Sequence, residues 1–168
     1  MNLEPLWEGL QNSSIGQFVA SSTWAFPTFE TLHVISFVTV LGSLAVMDFR
    51  MLGLTATDYP LTKVSKDTLR VTWIAFVLSA IFGTLLFMSN ATNYVNNPYF
   101  IRKMVCMALA GVNMLVFEFI TWRNVEKWDT GAVIPVAVKL AASFSIILWV
   151  LVVFFGRTVG FTLGIFNM

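Results

Sequence analysis

With 168 residues the chain has room for one domain, and with 57% of them hydrophobic and only 11% charged it carries roughly half the charge of a soluble domain. That balance describes a polytopic membrane protein. A formal net charge of +1 without a basic patch gives no footing for nucleic acid, and the single cysteine, Cys106, excludes an internal disulfide and any cysteine-built zinc site.

Residues 1–28 mix Leu3, Leu6, Trp7, Leu10 and Phe18 with Glu, Gln, Asn and Ser. This pattern predicts a short amphipathic helix at the headgroup level, the alternative being an irregular surface arm. Trp24 and Phe26 suit the interface, and Pro27 suits a helix start. No basic region precedes the first charges, Glu4 and Glu8, so no cleavable signal peptide is expected.

Residues 29–168 form the predicted transmembrane domain. Its spans are Phe29–Leu52, Leu69–Ser89, Tyr99–Trp122 and Ile134–Gly156, the last able to continue through RTVGFTLGIF. Each is near the roughly 20 residues that cross the hydrocarbon. The expected fold is all-α, a four-helix up-down bundle with a short interfacial helix ahead of it. Arg50, Lys63, Lys66 and Arg70 flank the first loop, and Arg123, Lys127 and Lys139 the third. The positive-inside rule then places both termini outside. Trp73, Trp122 and Trp128 fall near the inner boundary. Ser79-x-x-x-Gly83 on the second span and Gly156-x-x-x-Gly160-x-x-x-Gly164 on the fourth permit close helix contact, the latter as the seam of a homo-oligomer.

The first span carries an unusual stripe. Glu30, His33, Phe37, Leu41, Leu44 and Asp48 fall on one helical face. Ionisable groups inside a span face protein, water or a ligand, and are functional candidates by default. At about 1.5 Å per residue the charges fall into two layers. The outer layer holds Glu30, His33, Arg102, Lys103 and Arg157. The inner holds Asp48, Glu118, Lys139 and Arg70, where a balanced ion-pair network is expected, with proton handling as the alternative. Asn113 in mid-span reads as a helix-to-helix hydrogen-bonding group.

His33 is the only histidine, and it has three readings. A neutral imidazole is the usual protein ligand of b-type haem. Arg102, Lys103 and Arg157 supply the cationic surplus that two propionates need. Phe37, Phe82, Phe87 and Phe154 can flank a porphyrin, and Met104, Met107 or Met88 can offer a second axial ligand. The second reading is one weakly held copper or iron ion on His33 and Glu30, which project together at i, i+3. In the third, His33 is a structural or proton-relay group.

Several signatures occur together: Phe26-Pro27-x-x-Glu30-x-x-His33, Asp48-x-Arg50-x-x-Gly53, Asn97-Pro98-x-Phe100-x-x-Lys103 with Asn113, Trp128-Asp129, Lys139, Ser143, Trp149 and Gly156-Arg157. The chain resembles, over nearly all of its length beyond the N-terminal arm, a family of small bacterial four-span membrane proteins bearing a domain-of-unknown-function label. The resemblance implies the bacterial inner membrane, where the positive-inside placement makes both termini periplasmic, and it brings no activity. Members tend to carry a histidine shortly after the mid-helix asparagine, where this chain has Glu118. Glu118 lies too deep to share an iron with His33, so a haem here is expected to be five-coordinate, His/Met-ligated or completed by another subunit.

The expected role is therefore a membrane haem b protein in electron transfer or in redox or gas sensing, working with a redox partner. The rivals are an accessory or scaffold subunit and a small metal-ion or proton transporter. No nucleophile elbow, phosphate-binding glycine loop or second histidine is present, so a non-enzymatic protein is expected.

Overall fold

The computed structural model describes residues 3–122, 125, 129, 134–163 and 165. Among these the chain is helical and contains no strand. The helices are α1 (Glu4–Gln11), α2 (Ser14–Ser21), α3 (Ala25–Leu52), α4 (Leu61–Ser89), α5 (Ala91–Asn96), α6 (Pro98–Val116) and α7 (Val136–Thr162), and a π-helical turn over Phe117–Thr121 continues α6. Among the described residues four segments are long and apolar enough to cross a membrane: α3, α4, Pro98–Phe119 and α7. Only 17–22% of the most apolar window of each is buried inside the protein. Their exposed faces carry Val34, Ile35, Val38, Ile74, Val77, Ile81, Ile147 and Val150, where a water-facing helix would be polar. Outside the spans, the N-terminal arm forms two helices rather than one. They break at Ser13, whose hydroxyl accepts from the Gly16 amide at 3.1 Å and caps α2.

Helix ends differ from the sequence reading where polar residues continue a helix past the hydrocarbon. α4 starts at Leu61 rather than Leu69 because Leu61 and Ser65 are buried and draw the polar turn onto the core. α3 starts at Ala25, and Asn90–Pro98 contains the single turn-and-a-half of α5 rather than a plain loop. α7 does continue past Gly156, as far as Thr162.

α3 packs closely along α4, and α6 along α7. The two pairs join through α3 and α7, whereas α4 and α6 scarcely touch. The bundle thus has an open seam between α4 and α6. At one end a cluster of Met47, Met51, Leu61, Phe117, Val125, Val138 and Ala142 forms the core. A clamp closes that end. Buried Arg50 donates from Nε and Nη2 to the Tyr59 carbonyl at 3.0 and 2.8 Å, and from Nη2 to the Asp129 carbonyl at 3.3 Å. The Asp129 carboxylate accepts from the Thr62 amide at 2.8 Å and the Thr62 hydroxyl at 2.6 Å, at the start of α4. Arg50 and Asp129, both in the sequence signatures named above, therefore shape loops.

At the other end, near His33, α1, α2 and α5 form a cap. Gln11 accepts from the Thr92 hydroxyl at 2.8 Å, and Trp7 meets Phe87 edge-on at 5.9 Å. Gly16 lies against α4: a Cβ there would come within 2.8 Å of the Met88 carbonyl oxygen. Asn97 is 1% exposed. Its Oδ1 accepts from the Tyr99 amide at 2.9 Å and its Nδ2 donates to Thr162 Oγ1 at 3.0 Å, so it caps α6 and ties it to the end of α7.

Candidate functional site

His33 sits just over two turns into α3, half-buried against α4. Its Nδ1 lies 2.8 Å from the Ser79 carbonyl oxygen and 3.2 Å from the Ser79 hydroxyl. A carbonyl only accepts, so Nδ1 carries the proton; in the neutral ring the lone pair is then on Nε2. Gly83, one turn beyond Ser79, makes this approach possible. A Cβ on Gly83 would lie 2.9 Å from His33 Cε1 and 3.1 Å from Nδ1. The Phe37 ring lies nearly parallel to the imidazole, centroids 6.2 Å apart and planes at 15°, and Trp149 of α7 meets Phe37 at 6.0 Å. The Ser79-x-x-x-Gly83 pair is thus the cradle of the histidine. Its signal in the sequence is two small residues at i, i+4, which read there only as a helix contact.

Of the expected outer layer, Lys103 and Glu30 are near enough to act on the charge of His33. Lys103 is half-buried, and its Cδ, Cε and Nζ run within 3.7–3.8 Å of where a Gly156 Cβ would be. Gly156 therefore receives a side chain of its own chain. Gly160 has nothing within 4 Å of its Cβ position, and Gly164 is outside the described residues. Arg102 is exposed, with its guanidinium 5.1 Å from the Tyr99 ring centroid. Arg157 is exposed and stands 5.1 Å over Phe161. Glu30 is exposed on α3. It and burial push the Tyr94 phenol of α5 up from its ordinary value, burial being the larger cause.

Met104 projects from the outer face of α6, and Met107 lines a separate cavity described below. Phe82 stacks on Phe29, Phe87 joins Tyr94 and Phe100, and Phe154 is exposed. Only Phe37 of the four flanking phenylalanines touches the His33 ring. Among the described residues no three His, Cys, Asp or Glu side chains converge.

The inner layer is arranged differently from the expected network. Arg70, Lys139 and Glu118 are exposed, whereas Asp48 is buried with the Ser145 hydroxyl as its hydrogen-bond partner. Among the described residues no ion pair joins Asp48 or Glu118 to Arg70 or Lys139. The residues share a depth but not an azimuth: Arg70 lies about 200° around α4 from the buried Thr72. Asn113 does bond between helices, Nδ2 donating to the Ala141 carbonyl at 3.0 Å. Trp128, Arg123 and Lys127 lie outside the described residues.

A family model described as a family of unknown function, DUF6644, matches residues 7–162. The chain belongs to this family. The match takes in the N-terminal helices as well as the four spans, so the cap over the His33 end is part of the family's common extent. No curated protein and no solved structure matches the chain.

Proposed function

We propose that this protein binds a b-type haem through His33, in redox or gas sensing or in electron transfer. The observation that carries the reading is the hydrogen bond from Nδ1 to the Ser79 carbonyl. A metal-binding imidazole commonly donates its other N–H to a carbonyl, which fixes the tautomer and ring plane and raises the basicity of the free nitrogen. The residues fit the group in this respect. Haem asks for one or two protein ligands, and one oriented imidazole is what this end of the bundle offers, which favours haem over a bare copper or iron ion held with Glu30. When bound, haem supplies a reversible one-electron centre.

The chain's own side chains have separate tasks in this reading. His33 presents Nε2. Ser79 and Gly83 hold its ring, and Phe37 and Trp149 form an apolar wall beside it. Lys103 supplies a cation close to the ring, and Arg102 and Arg157 supply two more at the rim for propionate carboxylates. Met104, on the outer face of α6, and Met107, in the other cavity, are placed away from His33 and would not hold the group with it. The distribution of Lys and Arg supports periplasmic termini in a bacterial inner membrane. Gly160, open on α7, is where a second copy can approach.

The test is the absorption spectrum and haem content of protein purified after haem-replete expression. A Soret band lost in His33→Ala, with the bundle still folded by circular dichroism, supports the reading. A colourless wild type, or a band that survives His33→Ala, overturns it and leaves His33 as a tie between α3 and α4.

A further inference from the structure

A second site lies in the half of the bundle away from His33. There a cavity of ≈ 170 Å³, open on one side, is lined by α3, α4, the α6–π segment and α7. It is slightly larger than the ~150 Å³ apolar cavity that accepts a benzene molecule. It lies along the seam where α4 and α6 scarcely touch, and its rim residues Trp73, Gly111 and Glu118 are exposed. A guest dissolved in the bilayer can therefore enter sideways.

Its lining has a definite chemistry. Trp73, Phe76 and Trp149 contribute aromatic rings, and Asp48 and Glu118 contribute two carboxylates. Among the described residues no lysine, arginine or histidine lines it. Asp48 is only 4% exposed, and among the described residues its hydrogen-bond partner is the neutral Ser145 hydroxyl. Asn113, also in the lining, uses one amide N–H on the Ala141 carbonyl and is neutral, so it supplies no counter-charge. Among the described residues an ionised carboxylate in such a place lacks a counter-charge, which a cationic guest would supply. Aromatic faces attract cations and favour the same kind of guest.

We propose that this cavity binds an organic ammonium cation with a small apolar body, taken from the bilayer through the α4–α6 seam, with Asp48 as its counter-ion and Trp73, Phe76 and Trp149 around it. Glu118, in the π-helical turn at the rim, attracts the cation on entry. This site shares the Trp149 ring with the wall beside His33, but its carboxylates lie apart from that histidine and it does not depend on haem.

Equilibrium dialysis of the purified full chain in detergent tests this, with phenethylammonium as the cation and phenethyl alcohol as its uncharged counterpart. The expected result is saturable binding of the ammonium, at least about tenfold tighter than the alcohol, and weakened at least about tenfold by Asp48→Asn. Glu118→Gln is expected to weaken it less, since Glu118 is exposed. Equal binding of the alcohol overturns the proposal, as does full affinity in a folded Asp48→Asn. The comparison of amine with alcohol uses the unaltered chain and stands even where a variant does not fold. Haem content is read separately by absorbance, so either site can fail without the other.

Discussion

Replacing Gly83 with alanine tests the histidine cradle directly. The new Cβ would lie 2.9 Å from Cε1 and 3.1 Å from Nδ1 of His33, well inside the separation of about 3.5–4.0 Å at which carbon atoms pack. The ring cannot simply tilt away, because Phe37 lies parallel to it and is itself backed by Trp149. Overpacking of this kind costs about 1–3 kcal/mol, and a broken Nδ1–H···O bond to Ser79 adds about 1 kcal/mol. Alanine returns about 1 kcal/mol of helix propensity. The expected net effect is a destabilisation of about 1–3 kcal/mol. Gly42→Ala is the control, since nothing lies within 4 Å of its Cβ position and the same propensity gain applies. Thermal unfolding in detergent, followed by circular dichroism, compares the two. The chain has one histidine, so its imidazole nitrogen resonances report the Nδ1–H tautomer without ambiguity. A Gly83→Ala protein as stable as Gly42→Ala, with unchanged imidazole signals, would refute the packing and hydrogen-bond assignment together.

Gly16→Ala places a methyl group within 2.7–2.8 Å of three backbone carbonyl oxygens, those of Gln11, Leu10 and Met88. Backbone cannot yield as a side chain can, so α1 and α2 are expected to undock, seen as faster proteolysis ahead of α3 with the spans intact. Arg50→Lys cannot reproduce the fork that reaches the Tyr59 and Asp129 carbonyls; a loss of about 1–3 kcal/mol is expected in the same melting assay, and none would contradict the clamp. Tyr94 is expected to ionise later than a free tyrosine in an alkaline titration followed by ultraviolet absorbance. Because its folded value is raised, the stability it contributes is fully present below about pH 10 and falls as pH rises from there through the folded value. Tyr94→Phe should remove that late phase, and a titration without one would contradict its burial beside Glu30.

Much of the architecture was legible because a bilayer imposes it. Runs of about 20 apolar residues can scarcely be anything but spans, and the interhelical role of Asn113 followed from the cost of an amide in hydrocarbon. The ends were harder. Polar residues such as Lys63 and Asp67 look like loop but ride on a helix whose other face buries Leu61 and Ser65. Depth along a helix could be counted, so the His33 and Asp48 levels were separable. Azimuth could not be counted as well, and the inner ion-pair network was lost there: Arg70 and Lys139 share Asp48's level but point outward. Ser79 and Gly83 were visible as small residues, but that they receive a histidine depends on which helix lies opposite. Likewise Gly156 looked like part of a subunit seam and instead takes the stem of Lys103.

The decisive measurement is a haem titration of detergent-purified wild type, His33→Gly, and His33→Gly with free imidazole added, followed by the Soret band. Saturable haem uptake by the wild type is expected, with loss in the glycine variant and recovery when imidazole fills the space beside Ser79 and Gly83. Equal uptake by all three samples, or none by the wild type, would contradict a ligand role for His33.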